Sequence, residues 1–213
     1  HDESKVLNYP VYLLCGRLLY EFYSQATKRA MRSIRNSASV IKKVYVPKYI
    51  YPMANVTSNF ITFLISLLVL VFVMGYYLIF TDTAMRLTPY IFLSFVPIII
   101  LFVLCVGVGM ILCTMEVFFK DVEYMYEVFC MLLFYATPIF YDVETLRITN
   151  KYAQYALMAN PLYSIVSMFR DCVLFGRAMN PHHIIYSAVF SIVMLLVGVL
   201  VFYKKQDDFI LHI

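Results

Sequence analysis

A long apolar stretch without charged residues is the feature that most restricts the fold of this chain. Val56–Phe80 is a run of 25 residues without Asp, Glu, Lys or Arg. At a rise of about 1.5 Å per residue, a helix of this length reaches about 37 Å, and the hydrocarbon core of a bilayer is about 30 Å thick. The stretch therefore predicts a membrane-spanning helix.

The segment in front of this helix has the opposite character. Between Thr27 and Tyr49 the chain carries only basic charges, at Lys28, Arg29, Arg32, Arg35, Lys42, Lys43 and Lys48. Such loops lie on the cytoplasmic side of a membrane. Charged residues make up 14% of the chain, hydrophobic residues 62%, and the mean hydropathy is +0.78. These values indicate a single multi-span helical membrane domain over residues 1–213, and they argue against a soluble enzyme.

Four further apolar segments are predicted to cross the bilayer. The segment at 9–27 is interrupted by Arg17 and Glu21, which are four residues apart and can pair on one helix face. This pair marks either an interfacial helix or a helix that faces a bundle interior. The segment at 89–115 contains Gly107 and Gly109, which permit close helix contact. The remaining spans are predicted at 124–140, where Thr137-Pro138 stops a helix, and at 183–203.

The apolar stretch at 153–175 is predicted to enter and leave the membrane on the same side. Asn160 can cap a helix that begins at Pro161, which divides the stretch into pieces of about 8 and 15 residues, each too short to cross. A full crossing would also place Lys204 and Lys205 outside, opposite to the basic loop. We therefore expect two re-entrant half-helices on the outer side, surrounded by protein or by a water-filled cavity.

The sequence carries no motif of a known catalytic site. It has no phosphate-binding G-x-x-x-x-G-K-[ST], no H-E-x-x-H and no G-x-S-x-G. His182 and His183 follow Asn180-Pro181, so we place them in the first turn of the last helix rather than on a metal. The five cysteines lie in apolar segments and are predicted to be core residues. The chain is accordingly not expected to be an enzyme, to hold a metal or to bind nucleic acid.

The basic loop contains a short amphipathic pattern. Asn36 or Ser37 can cap a helix that Pro47 ends. Val40, Ile41, Val44 and Tyr45 alternate there with Lys42 and Lys43. The helix either lies on anionic lipid headgroups or inserts into a cytoplasmic partner.

Five sequence segments in the same order resemble permeases of polysaccharide-export ABC transporters. The first is NYPVYLLCGRLLYEFYSQATKRAMRSIRNSASVIKKVYVPKYIYPMANV, with an IKKVY-x-P-[RK] loop near its end. FFKDVEYMYE is similar to a cytoplasmic turn, and ATPIFYDVE and ANPLYSIVSMFRDCVLFG are similar to outer gate segments. FYKKQDDFILHI resembles the C-terminal end. The family often has Trp near the position of Tyr20, and this chain has no Trp.

This resemblance implies an all-α, type-2 ABC exporter permease with re-entrant outer gate helices, in a bacterial cytoplasmic membrane. It also implies that an amphipathic helix and a first span are missing from the sequence. The implied partners are a second copy of the chain, two copies of an ABC ATPase subunit that binds ATP and Mg²⁺, membrane lipid, and a lipid-linked glycan such as an O-antigen or teichoic acid precursor. This chain would itself bind no cofactor. The alternatives are export of a drug, peptide or other lipid, or a channel or scaffold without an ATPase.

Three groups of candidate site residues follow from the resemblance. The first is the ATPase-coupling loop, with Asn36, Ser37, Ile41, Lys42, Lys43, Val44, Tyr45 and Pro47. The second is a cytoplasmic turn with Lys120 and Asp121. The third is the outer gate and substrate path, with Tyr135, Thr137, Pro138, Tyr141, Asn160, Pro161, Tyr163 and Arg170. Aromatic rings at the gate would stack on passing sugars.

Overall fold

A computed structural model describes residues 9–44, 46–80, 89–139 and 159–209. The described part is a bundle of helices without β-strands. The helices are α1 (Tyr9–Met31), α2 (Ser33–Asn36), α3 (Ala38–Ile41), α4 (Ile50–Phe80), α5 (Phe95–Phe118), α6 (Val122–Ala136), α7 (Pro161–Val173) and α8 (Pro181–Lys205). Short 3₁₀ turns precede α5 at Pro89–Ser94 and follow α8 at Gln206–Asp208.

Three of these helices are long and apolar enough to cross a membrane. They cover Ile50–Tyr77, Tyr90–Phe118 and Pro181–Asp208. The central prediction of a span at 56–80 falls within α4, which begins six residues earlier. Pro52 is accommodated there because the first turn of a helix needs no intrahelical N–H bond. The crossings predicted for the segments of α1 and α6 remain predictions.

The core lies where α5 packs between α1, α4 and α8. Ala30 of α1 sits against Gly109, where an added Cβ would lie 2.8 Å from its own Cβ. Phe22 of α1 stacks on Phe63 of α4, with ring centroids 4.8 Å apart. Helix α1 thus runs alongside two membrane-spanning helices, as expected of a helix that belongs to the bundle. All five cysteines are buried and form no disulfide.

The two helix caps predicted at Asn160-Pro161 and Asn180-Pro181 are present. The Asn160 side chain accepts a hydrogen bond from the backbone N–H of Leu162, and Asn180 does the same for His182. In each case proline is the first helical residue, as its fixed φ favours. Helix α7 has 13 residues and is about 20 Å long, too short to cross a bilayer alone. The preceding half-helix predicted from residue 153 lies outside the described residues up to residue 158.

Candidate functional site

The breaks at Thr137-Pro138 and Asn160-Pro161 meet in one hydrogen-bonded cluster at the predicted outer end of the bundle. Asn160 Nδ2 donates to Thr137 Oγ1 at 3.1 Å, and Thr137 Oγ1 donates to the carbonyl of Leu133 at 2.8 Å. Asn160 is 9% exposed and Thr137 only 1%. Tyr186 of α8 adds a bond to the carbonyl of Ala159. The cluster joins the end of α6 to the start of α7, and the assignment of these residues to a gate stays a prediction.

Arg170 of α7 holds the backbone that follows α6. Its guanidinium donates to the carbonyls of Pro138 at 2.8 Å, Ile139 at 3.0 Å and Tyr12 at 3.2 Å. Its Cζ also lies 3.6 Å from the centroid of the Tyr12 ring. Gly16 provides the space for this side chain, because a Cβ at that position would come within 2.5 Å of Arg170 Nη2. Arg170 therefore connects α1, α7 and the Pro138 turn.

The candidate gate residues occupy different environments. Arg170 is 5% exposed and faces protein backbone, so in this structure its guanidinium is not available to a passing substrate. Tyr135 is 62% exposed on α6. Tyr163 is half-buried, and its ring lies edge-on to His183 with centroids 5.9 Å apart. Tyr141 lies outside the described residues.

The two histidines lie in the first turn of α8, as predicted. Nδ1 of His183 is 3.1 Å from the hydroxyl of Ser164 on α7. Over the residues that the structure describes, no group of His, Cys, Asp and Glu has the arrangement of a metal site. His183 instead helps to connect α7 to α8.

One face of α1 is polar and exposed beside the membrane-spanning helices. Arg17, Glu21 and Gln25 project from successive turns and are all exposed. The predicted Arg17–Glu21 pair is wrong for this structure, because Glu21 accepts a hydrogen bond from Gln25 at 3.0 Å instead.

Shallow grooves flank this face on both sides. One groove adds side chains of α4, at Asn59, Thr62 and Ser66, and the other adds Tyr20 and Phe134. An exposed carboxylate halfway along such a helix indicates contact with water or another polar surface rather than with lipid. Periodicity could have revealed the α4 side chains, which recur every three or four residues.

The predicted coupling loop contains two one-turn helices instead of one helix. Ser37 separates α2 from α3, and its side chain makes no capping bond. Asn36 is the last residue of α2, so neither predicted cap is formed. Helix α3 ends at Ile41, six residues before Pro47, so Pro47 does not end it. β-branched residues such as Val40 and Ile41 have lower helix propensity, which favours this early end.

The apolar residues of the loop divide into two sets. Ile41 packs partly against the bundle core, whereas Val40 and Val44 are 47% and 56% exposed. Lys42 and Lys43 are also at the surface, and Tyr45 lies outside the described residues. Lys120 and Asp121 are exposed in the turn between α5 and α6. Val40 and Val44 therefore form an apolar surface, edged by lysines, on the basic side of the bundle.

Behind this loop lies an ion-pair cluster that the sequence analysis did not identify. Arg32 Nη2 is 2.6 Å from Glu123 and 3.1 Å from Glu127 of α6. Arg35 of α2 is 2.6 Å from Glu123 and 3.1 Å from Glu116 at the end of α5. The hydrogen bond that Arg35 donates to Glu123 raises the pKa of its guanidinium. Arg32 and Arg35 are three residues apart, and Glu123 and Glu127 are four apart, so a helix would place each pair on one face. These spacings were the signal in the sequence from which the cluster could have been predicted.

Comparison with protein families decides where this architecture belongs. Residues 2–174 match the family model described as ABC-2 type transporter. The chain belongs to the ABC-2 type transporter family. It is an all-α, multi-pass protein of the cytoplasmic membrane, as the sequence resemblance predicted.

Curated proteins similar to this ABC-2 type transporter chain carry related names. It is 27% identical over 208 residues to the O-antigen export system permease protein RfbA of Klebsiella pneumoniae, covering 96% of this chain and 76% of that protein. The RfbA protein of Myxococcus xanthus is 24% identical, with coverage of 97% and 76%. The polysialic acid transport protein KpsM of Escherichia coli is 23% identical, with coverage of 98% and 77%.

Proposed function

We propose that this chain is the membrane subunit of an ATP-driven exporter that moves a lipid-linked polysaccharide or teichoic acid precursor across the bacterial cytoplasmic membrane. Two copies form the permease, and two copies of a separate ABC ATPase subunit bind ATP and Mg²⁺. The similarity to permeases named for O-antigen export and to a polysialic acid transport protein supports this cargo class.

The exposed polar face of α1 is the observation that carries the proposal. A carboxylate and an amide, at Glu21 and Gln25, lie halfway along a helix packed beside two spans. Burying such groups in lipid is costly, so this face adjoins a hydrophilic route or a second copy. Hydroxyl and amide groups hydrogen-bond to sugar hydroxyls, and the paired rings of Tyr20 and Phe134, 5.0 Å apart, offer faces for pyranose C–H groups.

ATP hydrolysis acts on the permease through the coupling loop. Exposed Val40 and Val44 suit a shallow groove on a cytoplasmic protein, and the lysines around them suit an acidic rim. Binding of ATP would displace this loop. The helices would then shift as rigid bodies, and the Thr137–Asn160 and Arg170 contacts would separate to open an outward path.

The cargo is tested by removing the protein and analysing what accumulates. Depletion should raise the pool of a lipid-linked glycan on the cytoplasmic side and lower the surface glycan. Accumulation of a peptide, drug or unrelated lipid, with surface glycans unchanged, would refute the proposed cargo. It would favour the alternative of an ABC exporter for another substrate.

The coupling assignment is tested in the complex with the ATPase. Val44→Asp should abolish export while the chain stays folded, because a charge enters a surface that must bury apolar groups. Tyr49→Asp is the control, since Tyr49 is 47% exposed near the same end but outside the loop and outside the span that begins at Ile50. Failure of the wild-type chain to co-purify with any ATPase would instead favour a channel or scaffold.

A further inference from the structure

Two helices of the bundle are bound into one rigid unit by direct backbone contact. A Cβ on Gly107 of α5 would lie 2.5 Å from the nitrogen of Leu195 and 2.6 Å from the carbonyl carbon of Met194, both in α8. A Cβ on Gly198 would in turn meet the carbonyl oxygen of Gly107. Because the two backbones touch here, α5 and α8 move together.

Helix α6 is attached much more loosely. Of its 15 residues, only Tyr126 and Cys130 are buried in the described structure. A cavity of about 320 Å³ lies beside it, lined in part by Phe129 of α6 and Phe190 of α8. Polar contacts hold the helix at its two ends, through the ion pairs of Glu123 and Glu127 and through the Thr137 cluster. Two hydrogen bonds also connect its middle to α1, from Tyr126 to Thr27 Oγ1 and from Tyr20 to the carbonyl of Cys130.

Arg35 stands between the rigid unit and the loosely attached helix. Its guanidinium is hydrogen-bonded to Glu123 of α6 at 2.6 Å and lies 3.1 Å from Glu116 of α5. The Glu116 side chain is fully buried, yet its two oxygens accept no hydrogen bond from the described residues. Buried carboxylates are normally hydrogen-bonded. Glu116 is therefore a second carboxylate beside Arg35, and its oxygens are available to accept hydrogen bonds from the guanidinium.

We propose that Arg35 is a positioning residue of the export cycle, exchanging its hydrogen bonds from Glu123 to Glu116 when the coupling loop moves. This inference rests on the proposed function. Arg35 lies in α2, which continues through Ser37 into the loop, so a displaced loop moves its guanidinium. The exchange gives Glu116 its hydrogen bonds and leaves Arg32 alone to hold Glu123 and Glu127, which loosens the cytoplasmic end of α6. Movement of α6 then pulls Thr137 away from Asn160.

The exchange predicts opposite effects of two isosteric substitutions. Glu123→Gln weakens the resting contact, so the outer cluster should open without ATP. Glu116→Gln removes the charge of the second partner and replaces one of its acceptor oxygens with a donor, so the cluster should stay closed when ATP is added. Asp207→Asn is the matched control, because Asp207 is exposed at the same end and lies outside the cluster.

Opening is read from a cysteine at a buried outer position. Ser164 is 1% exposed next to the cluster, and Ser164→Cys changes its size little. The complex with its ATPase, in proteoliposomes, is treated with a membrane-impermeant thiol reagent with and without ATP. The chain without the added cysteine measures background labelling, since the native cysteines are buried.

In the parent chain with Ser164→Cys, ATP should raise labelling. Glu123→Gln should give high labelling without ATP, and Glu116→Gln should lose both the ATP-dependent increase and export. The inference would be overturned if both variants were labelled like the Asp207→Asn control. It would also be overturned if both variants changed labelling in the same direction. A parent chain that neither exports nor responds to ATP would count against the proposed function itself.

A third variant keeps the test decisive if Glu116→Gln fails to fold. Arg35→Lys retains the positive charge beside Glu116, but a single ammonium group lacks the planar fork that can bond two carboxylates. The variant should therefore fold, and its complex with the ATPase should hydrolyse ATP without the ATP-dependent labelling. Normal labelling in Arg35→Lys would also overturn the proposal, whereas Arg29→Lys should behave as the wild type, because Arg29 is exposed and outside the cluster.

Discussion

The two ends of α6 are held by different kinds of contact. At the cytoplasmic end, the bonds run between charged side chains, and Arg32 is 36% and Glu127 48% exposed. At the outer end, Arg170 is almost fully buried and donates to backbone carbonyls. Exposed ion pairs exchange partners with little change in free energy, because water replaces what is lost. When a buried guanidinium loses its hydrogen bonds, no water is present to replace them.

This difference assigns distinct mechanical properties to the two ends. The Arg170 contacts reach α1, α7 and the Pro138 turn together, so they form or break as a set. The cytoplasmic ion pairs can rearrange one at a time. An adjustable inner end linked to an outer end whose contacts break as a set fits the proposed gate, which would open only after a sufficient displacement.

The largest effect is expected from removing the buried guanidinium. Arg170→Met leaves three carbonyls without their donor, which should lower the unfolding free energy by on the order of 3 kcal/mol or more. Thermal unfolding of the purified chain in detergent measures it. Arg177→Met is the control, because Arg177 pairs with Asp171 but is 59% exposed. Equal losses in both variants would remove the distinction between buried and exposed contacts.

A smaller effect is expected from displacing the same guanidinium without removing it. In Gly16→Ala the new methyl group would meet Arg170 Nη2, and overpacking of this kind costs about 1–3 kcal/mol. Gly75→Ala is the matched control, since nothing lies within 4 Å of its added Cβ. Thermal unfolding of both variants gives the comparison. A Gly16→Ala chain as stable as Gly75→Ala would show that Arg170 relocates freely.

The smallest effect is expected at the exposed rim of the cytoplasmic cluster. Glu127→Gln removes one charge from a pair with Arg32, and pairs of this exposure contribute about 0–1 kcal/mol, less at high salt. Unfolding at low and high ionic strength measures the difference. A salt-independent loss as large as that of Arg170→Met would contradict the description of the inner end as adjustable.

The sequence by itself determined the class of fold and the residues at which several helices begin or end. The uncharged run at 56–80 could only be a span, since no soluble helix needs such length without charge. The Asn-Pro pairs at 160 and 180 predicted two helix starts correctly, because capping is a local interaction within three residues. The Thr137-Pro138 stop followed in the same way from the missing N–H of proline.

Only the tertiary structure decided which distant side chains meet. Arg170 was predicted to belong to the outer gate or substrate path, and only the structure shows that it bonds to carbonyls 32 and 158 positions away in the sequence. The loop helix predicted between Asn36 and Pro47 ends early, at Ile41. Its β-branched residues have weak helix propensity, so contacts with the neighbouring segments decide the local structure. The ion pairs of Arg35 depend on how α2, α5 and α6 approach one another. Local patterns specify helix ends, whereas the packing of the whole bundle selects the partners of each charge.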